Sequence, residues 1–305
     1  MQRNNTSLLF IIIPTIFVIV GILFFPLNQS KNTEDILLIL NFVGLFLLLI
    51  GYFLSKNPSK QIIKIIGWVF VSFAWSTQIN SLYYGEQGDL VNAFFCAAGI
   101  FVLFYIAYHE WLTIIKKDEV KCLNWIAGAA AIAGIIYFGI DSYEPLQLWL
   151  RETVAAQSAM ALELFVDNVE QYGVTINWQG APISIIFACT AVQSMVLFVG
   201  IILPLQNVSF KKKLIGLGIT VLPVYFLNLF RNALVIYLTG AFGNDFFSIA
   251  HNVIAKILGL IALVILLLIV TKIIPEVFDQ ILCISDLYKR NGPIEKFIKK
   301  KIFRK

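Results

Sequence analysis

The chain has 305 residues, of which 59% are hydrophobic and 13% charged, with a formal net charge of +5. A soluble globular domain carries about twice that charged fraction, and the apolar residues here fall in runs of about 20, long enough to span a bilayer. An ordinary soluble enzyme is excluded, as are phosphate-loop and dinucleotide folds, whose glycine fingerprints are missing.

The first apolar span runs from Leu8 to Phe25. It has no small-x-small cleavage site, so it reads as a retained helix rather than a removed signal. Further spans are expected at Ile36–Leu54, Ile65–Tyr83, Leu90–Ile115 and Leu123–Ile140. The longest segment between spans follows, Asp141–Pro182. Within it, Leu146–Val169 mixes apolar residues with Arg151, Glu152, Glu163 and Asp167, the pattern of an amphipathic helix on the outer membrane surface. Gly173–Gly180 alternates apolar and polar residues between two glycines, a short strand or turn. The segment serves either as a lid or docking surface, or as a plain connector. The last spans are Ile183–Pro204, Leu214–Leu238 and Phe246–Ile273.

The expected fold is therefore an all-α polytopic membrane protein of about eight transmembrane helices. Residues 1–140 hold the first five, 141–182 an extracytoplasmic amphipathic connector, 183–273 the remaining three helices, and 274–305 a basic tail. Lys56, Lys60, Lys64, Lys116, Lys117, Lys121, Lys211–Lys213 and the tail share one side of this topology. Glu34, Asp35, Glu86, Asp89, Asp141, Glu144 and Asp245 lie on the other. The positive-inside rule places both termini in the cytoplasm, and the basic charge reads as topology rather than nucleic-acid binding. The tail, with Lys296, Lys299–Lys301 and Lys305, reads as a surface segment held by anionic lipid.

Chemistry concentrates in the last three spans. The run Ala188-Cys189-Thr190-Ala191-Val192-Gln193-Ser194 interrupts an apolar helix with a thiol and several hydrogen-bonding groups. On a helix Cys189 and Gln193 would share one face, and Thr190 and Ser194 another. Lipid rewards none of these groups, so the cluster faces protein, substrate or water. Cys189 falls about six residues in from the outer face, roughly 9 Å deep. Arg231 on the next span and His251 on the last reach the same outer-leaflet level. Asn228 and Asn232 flank Arg231 on one face, while Asn252 and Lys256 follow His251. Each residue alone has a plainer explanation: a buried small side chain, a snorkelling arginine, an interfacial histidine. Together they form a thiol, a guanidinium and an imidazole at one depth. His109-Glu110 at the other membrane face reads as snorkelling, and Cys96 as packing. Four cysteines at scattered positions, Cys96, Cys122, Cys189 and Cys283, show no spacing for a metal site or a disulfide framework. With only two histidines, no metal and no cofactor is expected.

The blocks Ala188–Ser194, Asn228-Leu229-Phe230-Arg231-Asn232 and Ala250-His251-Asn252 resemble the exosortase/archaeosortase family, the latter two its archaeosortase branch. One departure is Ala191, where family members commonly have Gly after the Cys-Thr or Cys-Ser pair. The resemblance implies a cysteine transpeptidase of the plasma membrane with its site facing outward. Its partners would be secreted proteins bearing a C-terminal sorting signal (a short motif, a transmembrane helix and a basic cluster), and membrane lipids including a prenyl-lipid donor. Cys189, Arg231 and His251 would be catalytic, with Thr190, Gln193, Asn228, Asn232 and Asn252 as supporting donors. Two other readings use the same residues: a hydrolytic intramembrane cysteine protease, and a transporter binding an anion with Arg231 and Lys256. A structural scaffold is a third, and it would tolerate Arg231→Ala.

Overall fold

The computed structural model describes residues 2–26, 29–55, 57–85 and 90–302. Lys56, Glu86, Asp89 and Lys305, which enter the charge pattern above, lie outside the described residues. In chain order the elements are α1 (Gln2–Phe24), α2 (Lys31–Phe53), α3 (Ser59–Ser76), α4 (Ile79–Tyr84), α5 (Leu90–Lys116), α6 (Lys121–Asp141) and α7 (Glu144–Glu163). Three short strands follow, β1 (Glu170–Tyr172), β2 (Thr175–Trp178) and β3 (Ala181–Ser184). Then come α8 (Val192–Ile202), α9 (Phe210–Phe242), α10 (Ala255–Ile273), α11 (Pro275–Ser285) and α12 (Pro293–Ile302). Among the described residues seven helices are long and apolar enough to cross a membrane. The protein is thus an all-α multi-pass membrane protein with one small sheet.

The chain divides into two compact units, residues 1–131 with 279–305, and residues 132–278. In the first unit α2 is capped: Ser30 accepts a hydrogen bond from Thr33 N–H at its start, with Glu34 in the first turn. Some of the unit's charged residues are buried. Lys64 Nζ lies 2.6 Å from Glu110 Oε1, and their side chains are 2% and 1% exposed. The lysine stem lies along Gly51, where a Cβ would come 2.4 Å from Lys64 Cγ. His109 is likewise fully buried, so His109-Glu110 does not snorkel as its sequence position suggests. The reason is a partner supplied by distant chain.

That partner is the C-terminal segment. Arg290 donates to both carboxylate oxygens of Asp118 at 2.7 and 2.9 Å, to Thr113 Oγ1 and to the His109 carbonyl. Glu295 accepts from Tyr105 and Tyr108 at 2.9 and 3.0 Å and faces His109 Nε2 at 3.2 Å. Burial alone would raise the Glu295 carboxyl, but the His109 imidazole and the tyrosine donors hold it down at about 2. Its share of the tail's attachment is thus fully present above the ordinary carboxylate value of 4.5 and is lost as pH falls through about 2. Cys122 and Cys283 form a disulfide across 161 residues. Both features correct the sequence analysis. The tail segment is docked on protein rather than lying free on lipid, and two cysteines that share no local spacing are paired.

The second unit places α7 and the sheet against α9. Val154, Ala155 and Leu162 of α7 share a core with Ile176 and Trp178 of β2, Ile185, Cys189, and Leu229, Ala233 and Ile236 of α9. The strands pair antiparallel in the order β1-β2-β3. Gly173 (φ +56) turns the first hairpin, and Gln179-Gly180 (φ +53 and +75) the second, which matches a two-residue turn with both φ positive. Gly240 lets Trp178 approach α9, since a Cβ there would meet the indole at 2.4 Å. The 33-residue α9 is about 50 Å long at 1.5 Å per residue, exceeding the ~30 Å hydrocarbon layer.

Candidate functional site

The stretch Ile183–Pro204 does not form the continuous helix that its apolar character predicts. Its first residues belong to β3, Phe187–Thr190 form a 3-10 turn, and only the 11 residues of α8 are α-helical. Ala191 between them sits at φ +64, in the left-handed region. The helical faces expected for Cys189/Gln193 and Thr190/Ser194 therefore do not exist. Cys189 instead projects from a turn immediately ahead of the α8 N-terminus, whose first N–H groups have no intrahelical acceptor. An alanine in this region costs about 1 kcal/mol relative to glycine. Ala191→Gly is expected to raise the melting temperature by relieving up to about that amount, which calorimetry in detergent would read.

The turn is held from three sides. Asn228 Nδ2 and Asn232 Nδ2 both donate to the Cys189 carbonyl, at 2.7 and 3.1 Å. Asn228 Oδ1 accepts from Arg231 at 3.3 Å, so one amide bridges the guanidinium and the cysteine turn. Asn232 also donates to Ser158 Oγ of α7 at 3.3 Å. Further along α7, Arg151 Nε donates to the Ile185 carbonyl at 3.0 Å, and Gln157 bonds to Tyr225 of α9. This helix backs the site; it is a structural wall rather than a loose connector. Thr190 turns inward and donates to the Phe187 carbonyl at 2.7 Å, closing the 3-10 turn.

A cavity of about 570 Å³ opens beside the turn, with Ala188, Ala191, Gln193, Ser194, Asn228, Arg231 and Lys256 on its wall and leucines of α9 and α10 completing it. Cys189 and His251 are not themselves on that wall. His251 occupies a π-helical turn, Ala250–Ile254, where the Ala255 N–H reaches back to the Ala250 carbonyl. Such turns recur at functional sites because they rotate one side chain off the regular helix face. The His251 ring stacks on Phe247 at 5.3 Å and lies within electrostatic reach of Arg231 and Lys256. No hydrogen bond joins it to Cys189 among the described residues. Asn252 is exposed and donates to Ser248 at 3.4 Å, away from the cavity wall. Of the sequence candidates, then, Asn228 and Asn232 bond to Cys189, Asn228 links on to Arg231, Gln193 and Lys256 share the cavity that Asn228 and Arg231 line, His251 stands nearby, and Asn252 faces elsewhere.

Burial pushes the Cys189 thiol above its ordinary value, while the Arg231 charge pulls it back down. Cys189 lies outside the seven apolar spans, and the rate of its alkylation reads this balance, since the thiolate is the reactive form. Arg231→Gln removes the lowering charge, so the pH profile of Cys189 alkylation by iodoacetamide should move to higher pH. Peptide mass mapping separates it from the other free thiol, Cys96, which packs with its Sγ 3.3 Å from the Trp75 carbonyl.

Ser158 escaped the sequence analysis, since a serine 31 positions before the thiol carries no local signal (158 to 189). The left-handed Ala191 had one hint, the family's preference for glycine there. Taken together, fold and geometry define a multi-pass membrane protein that sets a buried thiol at a helix N-terminus beside a cation-lined cavity. The profile of the transmembrane exosortase family (Exosortase_EpsH) matches residues 4–270. The chain belongs to that family. It is 23% identical over 205 residues to Archaeosortase A of Natronomonas pharaonis, covering 56% of this chain and 64% of that protein. To Archaeosortase A of Haloferax volcanii it is 27% identical over 212 residues, covering 57% and 69%. The chain thus spans 64% and 69% of the length of these relatives. No solved structure matches it.

Proposed function

We propose that this protein is a membrane-embedded cysteine transpeptidase that processes C-terminal sorting signals of secreted proteins on the outer face of the plasma membrane. The observation that carries this reading is the Cys189 turn itself. Two asparagine amides hold its carbonyl, one of them ties Arg231 to it, and the Arg231 charge acts on the thiol. Packing alone does not call for this investment of polar groups around one backbone carbonyl.

In the proposed reaction His251 takes the Cys189 proton once substrate has closed the gap between them, catalytic contacts commonly tightening in the bound complex. The thiolate attacks the scissile carbonyl carbon, and negative charge develops on the carbonyl oxygen. Arg231 and the free N–H groups of the α8 N-terminus stabilise that charge. The C–N bond breaks as His251 returns the proton to the leaving amine, leaving a thioester on Cys189. A lipid-borne or other amine, or a lipid hydroxyl, then displaces the thiol and anchors the product. Gln193 lines the route, while Asn228, Asn232 and Thr190 keep the turn in shape.

Intact mass spectrometry of secreted C-termini, in cells with the wild-type protein or Cys189→Ala, tests the proposal. The expected result is a trimmed, lipid-modified end in the wild type and a retained hydrophobic helix in the variant. A trimmed end with a free carboxylate would move the reading to hydrolysis. Identical processing in both strains would remove Cys189 from the chemistry.

A further inference from the structure

The sheet that leads into the cysteine turn carries two outer edges, β1 and β3. In an antiparallel pair, residues alternate between turning their backbone groups toward the partner and away from it. Ile185 N–H donates to the Val174 carbonyl at 2.8 Å, and the pairs Ile183–Ile176 and Ala181–Trp178 precede it at two-residue intervals. These residues face β2. Pro182 and Ser184, opposite Asn177 and Thr175, turn their backbone groups outward. Pro182 has no N–H to offer, a common way of protecting a sheet edge from stray pairing. Ser184 keeps both its N–H and its carbonyl, and no described residue engages them. Its hydroxyl is occupied elsewhere, 2.9 Å from Thr175 Oγ1, and the residue is exposed. Four residues on, Ala188 forms part of the cavity wall. A short open edge therefore runs straight into the site.

We propose that an extended stretch of the substrate polypeptide adds to β3 as a fourth strand, pairing with Ser184 and so delivering its scissile bond to the cavity beside Cys189. The inference rests on the reading that Cys189 attacks a polypeptide, and it names how that polypeptide is held. Strand addition suits the chemistry. Main-chain hydrogen bonds supply affinity whatever the side chains, and pockets for alternate residues supply selectivity. An extended segment also presents its carbonyl carbon to attack, whereas a carbonyl inside a helix is hydrogen-bonded and shielded. The β1 edge offers no such delivery, since β2 and β3 separate it from the turn.

The test uses a secreted reporter domain followed by an extended linker, a transmembrane helix and a basic cluster. In Cys189→Ala protein the photoreactive residue p-benzoylphenylalanine is placed at position 184 or, on the outward side of β1, at position 171. The expected result is a reporter cross-link from 184 and none from 171. With Cys189 intact, Ser184→Pro removes the outward N–H and should slow reporter processing about tenfold, near the upper range for one hydrogen bond. Gln171→Pro, which removes the corresponding donor on β1, should process as the wild type does. Cys189 alkylation at the wild-type rate certifies that the Ser184→Pro site is intact; where it changes, the cross-link decides. No cross-link from 184, equal cross-links from both positions, or unimpaired processing by Ser184→Pro would overturn the proposal. A reporter that cross-links at 184 but is never cleaved by the wild type would instead overturn the transpeptidase reading and leave the docking edge standing.

Discussion

Replacing Asn228 with alanine is expected to lower the turnover of a sorting-signal reporter by roughly 10²-fold, the scale on which small displacements of catalytic groups act. Asn228 is buried and does two things at once. Its Nδ2 fixes the Cys189 carbonyl at 2.7 Å and its Oδ1 receives Arg231 at 3.3 Å. The Cys189 carbonyl would keep its second donor, Asn232 at 3.1 Å, so the expected stability loss is only about 1 kcal/mol. Chemistry should suffer far more than folding. The measurement is kcat and KM in detergent or nanodiscs, with the fall confined mainly to kcat. The Cys189 alkylation profile should also move to higher pH, as in Arg231→Gln, because Arg231 loses its anchor. Asn228→Asp separates the two roles, keeping the acceptor for Arg231 and losing the donor to Cys189. Wild-type kcat in Asn228→Ala would refute the positioning role.

The largest expected loss of stability lies in the other unit, at Lys64→Met. Lys64 and Glu110 form an ion pair of 2.6 Å with side chains 2% and 1% exposed. Removing one partner strands a buried carboxylate, which costs about 3–5 kcal/mol in comparable pairs. Replacing both, as Lys64→Met with Glu110→Leu, removes the charges together and is expected to restore stability to within about 1 kcal/mol of the wild type or beyond it. Thermal unfolding followed in detergent gives both values. If Lys64→Met melts like the wild type, the pair does not support this unit.

What the sequence determined by itself was the class and the cast. Long apolar runs need no tertiary information to be read as membrane helices, because each satisfies its own backbone hydrogen bonds within the segment. The polar groups that interrupt the last spans stand out for the same reason, and Cys189, Arg231, Asn228 and Asn232 were found that way. Only the tertiary structure decided how they are used. A thiol inside an apolar run looks helical from its neighbours, yet packing against α7 and α9 holds it in a 3-10 turn with Ala191 left-handed. Asn228 and Asn232 look like substrate donors until their amides are seen to close on the Cys189 carbonyl. Asn252 shares a motif with His251 but not a direction, because the π turn sets the local geometry. In the first unit, the Cys122–Cys283 bond and the burial of His109 and Glu295 depend on chain segments more than 150 residues apart meeting (161 between the cysteines). Local pattern encodes which residues leave water for lipid. It does not encode which distant partner satisfies a polar group once it is there, and that choice made the site.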